Sequence, residues 1–257
     1  MEHRPTTKKI RKMTTKIENP KRVAFSMGGK GGGGKSTLMT SLADFLHGEN
    51  CPVTLLDGDV ENKVHGSLCH FFKEAVKVDI TTPHGLDEFV EKVFADNAPM
   101  VLADLGAGSG KWTFKWFSDM HAVMQEAGVR FLAIGVITSE VATIETVFNW
   151  ANALTDKTDY LIVRNHRNGD NFNILENSEA GRRFLKLSKA PVIDMEARLE
   201  DIQHELDERG LSLRQAMVAP PEMAGPLLSK AVWKMRMRGY QLRMDAQFRG
   251  VIDTLLP

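Results

Sequence analysis

From residue 22 onward, short apolar runs alternate with longer amphipathic stretches. The runs cover 23–27, 53–56, 100–105, 131–137, 160–163 and 192–195. Each is apolar nearly throughout and rich in Val, Ile and Leu, the pattern of a strand covered on both faces. Between them, the pattern predicts helices over about 36–48, 85–96, 110–127, 139–154, 176–187 and 196–209. Strand–helix alternation of this kind predicts an α/β fold with a parallel central sheet covered by helices on both faces. Ala219-Pro220-Pro221 then interrupts the chain before a long helix predicted over about 223–255. Its apolar seam of Trp233, Met237, Tyr240, Met244, Phe248, Val251 and Leu255 recurs every three or four residues. Lys234, Arg236, Arg238, Arg243 and Arg249 lie off that seam.

Residues 1–21 break the pattern. Arg4, Lys8, Lys9, Arg11, Lys12, Lys16 and Lys21 face only Glu2 and Glu18, with few apolar residues and no period. A disordered basic tail is expected, either a solvated leader or an arm for nucleic acid or an acidic partner. Residues 22–257 are expected to form one domain.

Composition narrows the class only slightly. The 257 residues are 42% hydrophobic, enough for a packed core. The formal net charge is zero, so only local patches can select a charged partner. No apolar run reaches the roughly 18 residues of a membrane span. The basic, polar beginning is no secretory signal, so a cytoplasmic location is expected. The two cysteines, Cys51 and Cys69, form no Cys-x-x-Cys motif, and the eight histidines show no metal-ligand spacing.

The chemistry concentrates where the first strand should meet the first helix. There the chain reads Gly28-Gly29-Lys30-Gly31-Gly32-Gly33-Gly34-Lys35-Ser36-Thr37. A glycine loop between strand and helix wraps backbone N–H groups and a helix N-terminus around an anion. Glycine permits the close wrap and the positive φ it requires. Lys35 is placed to reach β- and γ-phosphates, and the Ser36 hydroxyl to ligate magnesium.

The second lysine, Lys30, makes the stretch Lys-Gly-Gly-Gly-Gly-Lys-Ser-Thr. It resembles the deviant Walker A family of P-loop NTPases, which includes the ParA and MinD ATPases. The resemblance implies ATP and Mg2+ as ligands, with Gly29, Lys30, Gly31, Gly32, Gly33, Gly34, Lys35, Ser36 and Thr37 around the phosphates. It also implies a homodimer sandwiching ATP, with Lys30 reaching the partner's nucleotide. Leu55-Leu56-Asp57-Gly58-Asp59 resembles the family's Asp-x-Asp motif. By that resemblance Asp59 holds the attacking water, beside the catalytic Lys30 and Lys35, and Asp57 lies near the metal. A strand-end carboxylate can also cap the next turn, a reading that suits Asp57 better than Asp59. The run from Met100 to Gly108 looks like a Walker B strand followed by a switch loop. Asp104 would then bind magnesium with Ser36, and Gly106 and Gly108 would let the loop respond to the γ-phosphate. Partition ATPases usually carry prolines here, whereas this chain has Leu-Gly-Ala-Gly-Ser-Gly, which leaves the subfamily open. Asn165, ending a strand, either faces the adenine or closes a turn. The guanine-reading Asn-Lys-x-Asp is absent, so ATP is expected over GTP.

The resemblance implies a slow ATPase switch stimulated by an adaptor or activating protein. In a ParA-like system for plasmid segregation or cargo positioning, Lys234, Arg236, Arg238, Arg243 and Arg249 would grip DNA without sequence preference. In a MinD-like system the last helix would lie on anionic lipid. A ParA-like role in conjugation or mobilisation is a third variant. The paired cluster cysteines of the nitrogenase iron protein, the Cys-x-x-Cys of the tail-anchored-protein ATPases and a tyrosine-kinase tail have no counterpart here. Trp112, Phe114, Trp116 and Phe117, interleaved with Lys111 and Lys115, fit either base stacking or a packed helix face.

Overall fold

The computed structural model describes residues 20–29, 31–60, 66–106 and 111–257, the side chains of Lys111 and Trp112 excepted. The expected tail up to residue 19, Lys30 and Gly108 lie outside the described residues. Seven strands form one sheet: β1 (Lys21–Ser26), β2 (Val53–Gly58), β3 (Val76–Lys77), β4 (Met100–Leu105), β5 (Val129–Ile137), β6 (Asp159–Asn165) and β7 (Val192–Met195). All neighbours are parallel, in the order β3-β2-β4-β1-β5-β6-β7. The chain enters at the centre, runs to one edge, returns, and crosses β1 to build the other edge. The carboxyl end of β1 thus lies at a topological switch point, where open parallel sheets bind ligands.

Side chains alternate between two cores, as period-2 geometry requires. Ala24, Leu102, Leu132 and Ile134 point to one layer. That layer holds α1 (Lys35–Gly48), α2 (Leu68–Phe71), α8 (Glu200–Arg209), α9 (Leu213–Val218), α10 (Pro221–Leu228), α11 (Ala231–Gly250) and α12 (Ile252–Leu255). Val23, Phe25, Val101 and Phe131 point to the other. It holds α3 (Pro83–Phe94), α4 (Lys111–Glu126), α5 (Val141–Leu154), α6 (Asn173–Asn177) and α7 (Glu179–Ser188). Local capping sets several starts. Thr82 accepts from the Gly85 N–H ahead of Pro83 in α3, and Ser212 and Gln215 form a reciprocal capping box on α9.

The outer face of α1 is polar yet covered. Asp44 accepts from the Ser212 hydroxyl at 2.6 Å and the Arg214 N–H at 2.9 Å. Burial pushes its carboxyl up, against those two hydrogen bonds and the nearby Arg198 and Arg214 charges. One turn earlier the Ser41 hydroxyl accepts from Arg198 Nη2 at 2.6 Å.

Three expectations need correction. The long last helix is three helices. Gly225 takes φ 72° ahead of Pro226, Lys230 is extended, and Val251 leaves helical geometry, so the backbone breaks where periodicity alone runs on. The helix expected at 176–187 is likewise split, because extended Ser178 turns its hydroxyl to cap the Gly181 N–H. Lys21 belongs to β1 rather than to the tail, with its ammonium buried against the carbonyls of Val93 and Asp96. Short elements such as α2, α9 and β3 carry too few residues to show a period and were not foreseen.

The expected seam on the last helices does pack inward. Met237, Tyr240, Met244, Phe248 and Leu255 are buried, and Trp233 and Val251 pack against the same core. Phe248 is wholly buried, its ring 5.3 Å from that of Phe45 on α1. Phe248→Ala is expected to cost about 3–5 kcal/mol, read as a lowered urea midpoint. A change near zero would mean that α11 contributes little to the core.

Candidate nucleotide site

The glycine loop joins β1 to α1 at the switch point, as its motif requires. Gly32 and Gly34 take φ 79° and 87°, conformations that residues with a Cβ seldom adopt. Gly34 is the N-cap of α1 and brings no side chain, so the first-turn N–H groups receive no side-chain cap. Those donors and the helix dipole are left for an anion. Two scaffold groups hold the loop from outside. Trp150 Nε1 on α5 donates to the Gly28 carbonyl at 2.6 Å, and Asn165 Nδ2 donates to the Gly33 carbonyl at 3.0 Å. A Cβ on Gly34 would come within 2.3 Å of Asn165 Nδ2.

Lys35 and Ser36 open α1 half-buried. Burial lowers the Lys35 ammonium, and the charges of Asp104 and Asp59 oppose that shift. The carboxylates converge from the two strands beyond β1. Asp57 and Asp104 are register partners at the ends of β2 and β4. Asp104 is almost wholly buried. Its Oδ1 accepts from the Ser26 hydroxyl at 2.8 Å, while its Oδ2 has no hydrogen-bond partner among the described residues. Burial raises its carboxyl to about 6; the Ser36 and Ser26 hydroxyls pull it down, Asp57 pushes it up, and Lys35 pulls it down. Asp59 is buried two residues beyond Asp57. A Cβ on Gly106 would lie 2.9 Å from both the Cα and the Oδ1 of Asp59, so the connection after β4 rests directly on it.

The structure therefore gathers Gly29, Gly31 to Gly34, Lys35, Ser36, Thr37, Asp57, Asp59, Asp104 and Asn165 at the carboxyl edge of the sheet. Asn165 sits beneath the loop, with Oδ1 accepting from the Arg167 N–H and Nδ2 on Gly33. Sequence reasoning missed Ser26 and Trp150. Ser26 could have been suspected as the last residue of β1; Trp150 lies more than a hundred residues away in an ordinary helical pattern.

The remaining candidates fall elsewhere. Phe114 packs on Trp150, Trp116 on Phe89 and Phe117 on Phe131, which makes these three a packed helix face rather than a base-stacking platform, while the Trp112 side chain lies outside the described residues. On α11, Arg243 pairs with Glu196 at 2.8 Å and Arg249 with Glu49 at 2.5 Å. The Arg236 guanidinium lies over the Trp233 ring; Arg236 and Arg238 are exposed and Lys234 is half-buried. Both cysteines are free thiols. Among the described residues, no group of three or more His, Cys, Asp or Glu could hold a metal ion, and no helix is long and apolar enough to cross a membrane.

No family model matches the chain, and no curated protein matches it in sequence. Solved structures do. The MinD cell division protein of Aquifex aeolicus superposes with a TM-score of 0.50 at 16% identity, over 92% of this chain and 99% of that one. The chain has the fold of MinD. The expected parallel α/β sheet with a glycine loop leading from β1 into α1 is thus met in a solved fold. A putative plasmid partition protein from Borrelia burgdorferi B31, bound to AMPPNP, gives a TM-score of 0.45 at 12% identity, over 88% of this chain and 100% of that one. FlhF complexed with GMPPNP and Mg(2+) gives 0.35 at 11% identity, over 70% and 66%.

Gly34→Ala should lose about 1–2 kcal/mol to the left-handed backbone alone and should push the Asn165 amide off the Gly33 carbonyl. A drop in melting temperature with at least about tenfold weaker binding of a fluorescent nucleotide is expected, tenfold being 1.4 kcal/mol. Unchanged affinity would show that the loop keeps its shape without Asn165.

Proposed function

We propose that this chain is an ATP-hydrolysing switch of the ParA/MinD type, dimerising around its nucleotide and acting in plasmid segregation or cargo positioning. One observation carries the reading: an uncapped helix N-terminus behind a glycine loop, faced by Asp59 and by an Asp104 oxygen that has no hydrogen-bond partner among the described residues. Magnesium, when bound, would neutralise phosphate charge. The residues that fit it are Ser36 and Asp104, with phosphate and water completing the set, since magnesium keeps several waters and takes few protein carboxylates. Lys35 neutralises the phosphates on its own chain, and Lys30 would do so from a partner copy. Asp59 holds the attacking water; positioning and charge are most of what phosphoryl transfer demands. The absence of a guanine-reading motif after β6 supports ATP over GTP.

For the surface that the switch engages, the packing favours DNA over lipid. The apolar seam of α11 is consumed by the core, so that helix cannot lay it on a bilayer while the domain stays folded. Lys234, Arg236 and Arg238 carry the DNA reading, with Arg243 and Arg249 already engaged by carboxylates. A cytoplasmic site of action, an activating protein and a role in plasmid transfer fit the same reading.

Asp59→Asn is expected to keep ATP binding while turnover falls on the order of 10²–10⁴-fold; Gly106→Ala, by displacing Asp59, should follow it in direction. Turnover equal to wild type in Asp59→Asn would remove that residue from the chemistry. Co-sedimentation with nonspecific DNA and with anionic liposomes, in ATP, ADP or no nucleotide, tests the surface. ATP-dependent, salt-sensitive DNA binding that weakens in Arg236→Glu/Arg238→Glu is expected. Liposome binding alone would favour the MinD-like alternative.

A further inference from the structure

Asp57 has the strand-end position of a metal ligand but a different set of contacts. Its carboxylate is wholly buried. Oδ1 accepts from the Asp59 N–H at 3.1 Å, and Oδ2 accepts from the Cys69 N–H at 3.0 Å. Those two amides bracket the connection 60–68, so one side chain holds both ends of the segment that leaves Asp59. Lys77 completes the arrangement. Its Nζ lies 3.1 Å from Asp57 Oδ1, and its backbone is in register with Asp57 across the β2–β3 ladder. The two-residue strand β3 thus brings the Lys77 ammonium to the buried Asp57 carboxylate. Both Asp57 oxygens are taken by protein donors, whereas one Asp104 oxygen has no hydrogen-bond partner among the described residues.

We propose that Asp57 and Lys77 are positioning residues, a staple that fixes where Asp59 stands, and that neither ligates magnesium. The inference rests on the hydrolase reading above for its kinetic consequence, but not for the staple itself. A buried carboxylate accepting two N–H bonds and an ammonium is held in one orientation, and truncating one partner leaves the others unmatched. Asp59 is thus clamped from two directions. Asp57 fixes its backbone N–H, and Gly106 closes against its Cα and side chain. Glycine is required at 106 by this contact, since a methyl there would dislodge the group that Asp57 locates. Asp59, just past the end of β2, and Gly106, just past the end of β4, therefore meet, and the staple fixes one side of that meeting.

The test uses the full-length chain as wild type, Asp57→Asn, Lys77→Met and Lys77→Arg. Hydrogen–deuterium exchange at the Asp59 and Cys69 amides is measured without nucleotide, and ATP turnover is measured across a magnesium titration. Exchange at both amides should rise about tenfold or more in Asp57→Asn and rise less in Lys77→Met. Turnover at saturating magnesium should fall about tenfold or more, with the half-saturating magnesium concentration unchanged. Lys77→Arg should restore most of the loss. A raised half-saturating magnesium concentration in Asp57→Asn, with full turnover recovered at saturation, would overturn the proposal, as would unchanged exchange at both amides. Should Asp57→Asn fail to fold, Lys77→Met carries the same comparison. Should the wild type not hydrolyse ATP, the functional reading fails, and the exchange measurement still decides the staple.

Discussion

Two hydrogen bonds from outside the loop, Trp150 to the Gly28 carbonyl and Asn165 to the Gly33 carbonyl, set the geometry on which the site depends. A trans peptide is planar, so its C=O and the next N–H point in opposite directions. Fixing the Gly33 oxygen on β6 therefore turns the Gly34 N–H away from β6, and fixing Gly28 on α5 does the same for the Gly29 N–H. The amides of a phosphate cradle are oriented by what their neighbouring carbonyls are tied to. Glycine makes the path sterically possible, but the ties select it.

Around that loop the sheet acts as a frame. Parallel strands β2 and β4 end level with one another, so Asp57 and Asp104 arrive as register partners beside the loop. Crowding carboxylates in a buried place is costly, and the fold answers each differently. Asp57 is satisfied by amides and an ammonium. Asp104 keeps a raised carboxyl and an oxygen with no hydrogen-bond partner among the described residues. That asymmetry between two similar residues is the main chemical information the structure adds to the motif.

Much of this was legible in the chain. Six of the seven strands follow from apolar runs, because a strand covered on both faces has to be apolar along its whole length. The loop, Lys35 and Ser36 were picked out by the spacing of the glycine–lysine motif, and Asp59 and Asp104 by the resemblance of their strand ends to family motifs. The remainder is set by contacts distant in sequence. Nothing local marks Trp150 as a loop anchor or Lys77 as the partner of Asp57; each becomes special only when the sheet assembles. Helix breaks at Ser178, Gly225 and Val251 were hidden because the apolar period continues through them while the backbone does not. The basic residues of the last helix looked equivalent in sequence, and the pairing of Arg243 with Glu196 and Arg249 with Glu49, together with the Arg236–Trp233 stack, tells them apart.

The covered polar face of α1 has a mechanical consequence. Asp44 and Ser41 are bonded to Ser212, Arg214 and Arg198, while Leu38, Leu42 and Leu46 are sealed against the sheet. A helix gripped on opposite sides cannot roll or slide without breaking bonds on one side or opening the core on the other. The helix behind the glycine loop thus serves as a stator, and any rearrangement of the site has to be absorbed at its margins, beginning at Asp59 and Gly106.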